Sequence, residues 1–272
     1  MEFRTIVDIP KADFAIQPCE EVLLVGSCFA DGIGERFRAA GFPTTVNPYG
    51  TMYNPVSVLH TIERYDGKPQ LVFITLGTNH VYRLKETGEI VDNCEKRPQR
   101  LFQEEELSVE QCCEALQQCV ALLQQRNPDV RIVFTVSPIR YRKYGYHESQ
   151  LSKATLLLAV SRLTSDLSPL TSDLYYFPAY EIFMDELRDY RFYASDMLHP
   201  SEQAVDYVWE RLVDAWFSPA AKTFLAEWHP LQQVLQHRPF NPDSDEYRQL
   251  MDKTMLKVGE LRKKYPTFVL PK

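Results

Sequence analysis

No apolar run in the chain approaches the roughly 18 residues that suggest a membrane span. The first residues, MEFRTIVDIPKADF, lack the basic-then-apolar order of a secretory leader, so cytoplasmic residence is the expectation unless a leader was trimmed. An excess of basic charge is also missing. Thirty Lys and Arg against 37 Asp and Glu leave a formal net charge of -7. That balance argues against the broad basic surface that nucleic acid or anionic membrane attracts, and leaves a small or neutral polymeric ligand as the expected partner. The six cysteines, Cys19, Cys28, Cys94, Cys112, Cys113 and Cys119, show no paired CxxC spacing and no neighbouring His-x-x-x-His. They read as reduced thiols rather than a disulfide frame or a zinc site.

What the chain does have is enough length, 272 residues, and enough apolar content, 44%, to bury a sizeable core. EVLLV (Glu21–Val25), LVFITL (Leu71–Leu76) and RIVFTV (Arg131–Val136) are short β-branched runs closed by Gly or Ser-Pro, the pattern of core strands in a parallel sheet. Helical periodicity lies between and after them, over Asp31–Ala40, Pro55–Arg64, Ser108–Arg126 and Gln150–Ser165, the third opening on a Ser-Val-Glu-Gln cap. The alternation predicts a three-layer α/β/α sandwich with a parallel sheet. A Glu-Thr-Gly turn within VYRLKETGEIV (Val81–Val91) predicts an interrupting hairpin, and DLYYFPAYEIF (Asp173–Phe183) reads as a strand entering an aromatic core. Ser201–Phe217 closes the sandwich as an amphipathic helix. Pro219–Gln236 and Ser244–Lys264 then form a C-terminal helical extension, giving units 1–218 and 219–272.

Three short stretches carry residues with chemistry. In LLVGSCFADGIGERF, Ser27 and Cys28 stand where the first strand passes into a helix, the edge at which open α/β sheets bind ligands. The helix N-terminus there favours a thiolate or an oxyanion. The plainer reading makes Cys28 a small core residue and Ser27 a turn former. In YRFYASDMLHPSEQAV, Asp196 precedes His199 by three residues, a spacing that lets the carboxylate orient the imidazole as a base, or simply closes a loop. In TLGTNHVY, Asn79 follows the second core strand and is either an amide donor to an oxyanion or a turn residue. His80 beside it has no partner at metal-binding spacing and reads as structural.

The order of these elements resembles the SGNH hydrolases, which have a flavodoxin-like sheet and four short blocks: Gly-Asp-Ser with a further Gly, a Gly, Gly-x-Asn-Asp, and Asp-x-x-His. More specifically, GSCFA at Gly26–Ala30 is the signature of the GSCFA family, which is grouped with them. The likeness runs from about Arg4 to Phe217 through NPYGTMYNP, TVSPIR, QLSKATLLLA, YFPAYEI and LRDYRFYASDMLHPS. It implies that Cys28 takes the place of the serine nucleophile, or Ser27 if the loop slips by one residue. It further implies that Gly50 supplies a backbone donor and that Asn79 is the oxyanion amide. Relatives carry Asn-Cys-His-Lys where this chain has NCEK, which makes Asn93 the alternative donor, and Arg-His where it has Arg140-Tyr141. His80 stands in place of the Asp of the third block.

The resemblance thus implies an acyl ester or thioester hydrolase, or an acyltransferase. It would act through an acyl-enzyme on Cys28 or Ser27, with His199 as base and Asp196 orienting it. An O-acetylated carbohydrate is the superfamily's familiar substrate, and no metal or organic cofactor is required. The replaced Gly-Asp-Ser and Glu95 also fit a second reading, a non-catalytic binding protein that keeps the crevice for an acylated glycan or peptide.

Overall fold

The computed structural model describes residues 3–92, 94, 97–166 and 173–271. Its first strand, β1 (Val22–Gly26), is buried along its whole length, as a strand covered on both faces must be. Helix α1 (Cys28–Ala39) follows, with Phe29, Ala30, Ile33 and Phe37 on its buried stripe, and leads to β2 (Thr44–Val46). Helix α2 (Pro55–Arg64), capped by the Asn54 side chain and carrying Pro at its first turn, leads to the fully buried β3 (Leu71–Leu76). An antiparallel excursion intervenes: β4 (His80–Leu84), β5 (Ile90–Val91) and β6 (Phe102–Glu106) form a separate sheet in the order β5-β4-β6.

Helix α3 (Val109–Arg126) opens on a full capping box between Ser108 and Gln111 and returns the chain to β7 (Arg131–Val136). Helix α4 (Tyr146–Asp166), β8 (Leu174–Tyr176) and the short α5 (Ala179–Glu181) precede α6 (Glu202–Trp216), α7 (Pro219–Gln236) and α8 (Asp245–Lys264). Strands β2-β1-β3-β7-β8 pair in parallel, in register from Val22 opposite Leu71 to Gly26 opposite Thr75. Counted within that sheet the order is 2-1-3-4-5, the flavodoxin-like winding. Helices α1 and α6 cover one face, and α2, α3 and α4 the other.

The structure departs from the sequence expectation in four places. Helix α1 starts three residues before Asp31, because the Ser27 hydroxyl accepts the Phe29 amide and caps it there. Helix α4 likewise starts four residues before Gln150. Strand β2 is too short to show a period. Strand β6 reads FQEEE, and its charged side chains hide a strand whose pairing with β4 is set by the hairpin sheet. The two C-terminal helices share the core of the sandwich: Phe224, Trp228, Leu231, Val258 and Leu261 are buried in one apolar cluster with Phe37, Phe42 and Trp216. Among the described residues no helix is long and apolar enough to cross a membrane.

Candidate active site at the carboxyl edge of the sheet

Gly26 ends β1 with φ +140°, and a Cβ built there would lie 2.0 Å from the Thr75 carbonyl oxygen of the neighbouring strand. Only glycine lets the chain turn so close to β3. Ser27 follows, fully buried, its amide donating to Thr75 O at 3.0 Å and its hydroxyl accepting Phe29 N at 3.3 Å. Its side chain is therefore turned inward as the helix cap. Cys28, the first residue of α1, is half-buried, and its Sγ lies 3.6 Å from the Tyr53 hydroxyl. Its amide is one of the first-turn N–H groups that a helix cannot satisfy internally.

The loop after β2 braces this turn. Asn47, held at φ +41°, accepts Gly26 N through Oδ1 at 2.8 Å and donates through Nδ2 to Asp31 Oδ1 at 2.8 Å. Thr51 reaches the other Asp31 oxygen at 3.5 Å. Gly50 sits in the same loop at φ +98°, with its amide spent on Asn47 O at 2.9 Å. Asn79 is buried and its Nδ2 donates to Leu107 O at 2.8 Å, tying β4 to the start of α3. Asn93 lies outside the described residues. Tyr53, placed by the same NPYGTMYNP stretch as Asn47, has its phenol pushed up to about 12, first by partial burial and then by the thiol beside it, so it stays a donor.

Asp196 and His199 form a compact pair on the loop before α6. Asp196 Oδ1 accepts the amides of Leu198 at 2.8 Å and His199 at 3.0 Å, while Oδ2 faces His199 Nδ1 at 2.5 Å. The His199 and Leu198 amides, then the imidazole, hold the carboxyl well below the usual carboxylate range. An ionised partner at Nδ1 fixes the proton on that nitrogen and leaves Nε2 as the basic atom. Arg140, at the carboxyl end of β7, pins the loop: its amide donates to Leu198 O at 3.1 Å and its guanidinium to Met197 O. Tyr141, the next residue, packs edge-on against Tyr53 with ring centroids 5.8 Å apart. His199 makes no hydrogen bond to Cys28; the thiol's partner is Tyr53.

Beside Tyr53 opens a cavity of about 690 Å³, lined by Thr51, Asn54, Thr78, His80, Tyr82, Val91, Asp92, Cys94, Arg97, Gln99, Tyr141, Lys143 and Tyr144. Its size is that of a small-molecule site. Rings and polar groups alternate in its wall: His80 stacks on Tyr144 at 3.8 Å, with its Nδ1 3.7 Å from Glu104. Burial lowers the His80 imidazole, keeping it neutral. Asp92 in this wall holds a second imidazole, His60, at 2.7 Å and binds Arg64 at 2.7 Å; it pushes His60 up. Sequence reasoning missed Asn47, Tyr53 and the His60 pair, and named Tyr141 only as a departure from the relatives' Arg-His. Two of these, Asn47 and Tyr53, lie in a stretch already singled out, whereas the His60–Asp92 contact joins residues 32 apart that no local pattern links.

The GSCFA family model matches residues 21–71 and 65–212, and the model of the GSCFA C-terminal domain matches residues 228–271. The chain belongs to the GSCFA family. No curated protein matches it. Among solved structures, a mutant acetyl esterase with acetate ion is similar at 11% identity, covering 77% of this chain and 99% of its own, with TM-score 0.46. A member of the lipolytic G-D-S-L family from Veillonella parvula is similar at 11% identity, over 72% of this chain and 98% of its own, TM-score 0.46. A family 3 carbohydrate esterase from Talaromyces cellulolyticus is similar at 12% identity, over 76% and 99% of the two chains, TM-score 0.41.

Proposed function

We propose that this GSCFA protein is a thiol-dependent acyl ester or thioester hydrolase or acyltransferase, with Cys28 as nucleophile, His199 as base and Asp196 as the group that orients it. The observation that carries the reading is the contrast between neighbours at the sheet edge. Ser27 is buried as a helix cap, while Cys28 is reachable at a helix N-terminus with a phenol on its sulfur.

His199 Nε2 takes the Sγ–H proton, and the sulfur adds to the ester carbonyl, whose π pair moves to oxygen. Collapse re-forms the carbonyl and expels the alcohol, which takes the proton back from His199. Water or an acceptor hydroxyl then repeats the sequence on the thioester. Catalytic hydrogen bonds are often long or absent without substrate, so a thiol and imidazole that share no hydrogen bond in the free protein are compatible with a pair that forms on binding. Tyrosine faces, hydroxyls and carboxamides in the cavity wall suit an O-acylated sugar as the ester.

The test is peptide mapping after brief exposure to p-nitrophenyl acetate of wild type, His199→Ala and His60→Ala. The reading expects acetyl on Cys28 that depends on His199 and persists without His60. Acetyl on Ser27 would move the nucleophile by one residue. No adduct in folded wild type would favour a binding protein, a reading that the missing hydrogen bond between His199 and Cys28 supports.

A further inference from the structure

An acyl-enzyme site needs donors aimed where charge develops on the carbonyl oxygen, and two of the groups that the family resemblance assigns to this task already donate within the fold. The Gly50 backbone N–H donates to Asn47 O, and Asn79 Nδ2, anchored by one of its two N–H groups, donates to Leu107 O. One hydroxyl nearby is in the opposite condition. The Tyr141 phenol oxygen is buried and has no hydrogen-bond partner. It lies against Gly77 at the carboxyl end of β3, where a Cβ would come within 2.3 Å of it, and Tyr141 forms part of the cavity wall. Its ring meets the ring of Tyr53, whose own hydroxyl touches the Cys28 sulfur.

We infer that the Tyr141 hydroxyl is the side-chain donor to the oxyanion in this protein, in the place that the resemblance gives to Asn79. The inference rests on the acyl-enzyme reading above. Burial, with Tyr53 and Cys28 as lesser causes, pushes the phenol well above its ordinary range, so it keeps its proton and acts only as a donor. When Sγ adds to the carbonyl and the π pair shifts to oxygen, that oxygen accepts from Tyr141 Oη–H and from the Cys28 amide. On collapse the pair returns to the C=O bond, and Tyr141 retains its proton. A buried hydroxyl without a partner is costly in the free protein, and the developing anion supplies the missing acceptor. The ring is held for this by Lys153, whose buried amine nitrogen lies 5.1 Å from its centroid while donating to Gly77 O at 2.5 Å.

Two reactions at one thiol separate this role from a structural one. Acetylation of Cys28 by p-nitrophenyl acetate passes through an oxyanion, whereas alkylation by iodoacetamide displaces iodide and forms none. Tyr141→Phe removes an oxygen that bonds nothing, so the melting temperature holds. Acetylation should slow by about 100-fold, the usual effect of deleting one oxyanion donor, with alkylation unchanged. Asn79→Ala, which strands Leu107 O, should lower the melting temperature and leave the ratio of the two rates as in wild type. Equal acetylation rates in Tyr141→Phe and wild type, or a ratio that falls in Asn79→Ala instead, would overturn the assignment of Tyr141 alone. A wild type whose Cys28 takes no acyl group from any ester would overturn the acyl-enzyme reading itself.

Discussion

On the face of the sheet covered by α1, α6 and the C-terminal helices, Phe37 meets Phe42 edge-on at 5.4 Å and Trp209 at 4.8 Å, and Trp228 meets Phe268 at 4.9 Å. The one polar atom of the Trp228 ring finds a partner, donating to Ala39 O at 2.7 Å. At the carboxyl edge, polar atoms are left stranded: the Tyr141 hydroxyl, Asn79 Oδ1, His80 Nδ1 and Arg140 Nε are all buried without hydrogen bonds. The non-glycine residues Asn47 and Met197 are held at positive φ in the loops of that edge. A stranded buried group costs about 1–3 kcal/mol, so several together destabilise the edge by an amount that apolar burial elsewhere must offset. The aromatic face closes the fold, and the edge keeps unmet valences that a ligand can satisfy.

The largest expected effect tests the face. Trp228→Ala removes a fully buried ring and should cost about 3–5 kcal/mol in chemical denaturation, because the cavity opens between α7, α8 and α1 together. The labelling of Cys28 per folded molecule should not change. A loss below about 1 kcal/mol would mean that the C-terminal helices sit on the sandwich without sharing its core.

This contrast also explains what was legible in the sequence. The aromatic and aliphatic faces announce themselves through period and through strands such as LVFITL, whose bounds match the structure, as do those of α2 and α7. The edge is legible only where one side chain acts on its own loop: Asp196 and His199 pair as their spacing implies, and Ser201 caps α6. The roles of Asn47, Tyr53 and Tyr141 depend on strands being brought side by side, as Gly26 is beside Thr75, and no local pattern encodes that. Asn79 shows the converse. Its place in the sequence suggests a donor at the edge, and tertiary packing has bonded its amide to Leu107.

The second effect sharpens the comparison through a titratable group buried at the edge itself. Lys153 is buried, and burial lowers its amine from 10.5 to about 7. Between those pH values the unfolded chain holds a proton that the folded chain lacks, so wild-type stability gains from this residue as pH rises from 7 towards 10 and is flat below 7. Lys153→Met has no such term. The stability of wild type relative to the variant should therefore climb by a few kcal/mol over that interval. A difference constant with pH would show that the ammonium finds a counter-charge, and that the edge is less starved of partners than its geometry indicates.

The smallest effect separates the two tyrosines of the edge. Tyr53 touches the thiol at 3.6 Å in the resting protein, whereas Tyr141 has no partner there. Tyr53→Phe should slow iodoacetamide alkylation of Cys28 about two- to fivefold at neutral pH, as expected for loss of one weak hydrogen bond of roughly 0.5–1 kcal/mol. Tyr141→Phe should leave that rate alone and act only when an acyl group is transferred. If both variants slowed alkylation alike, the pair would be acting as one aromatic support for the thiol. If only Tyr53 does, the edge divides its two phenols between the nucleophile before attack and the oxygen after it.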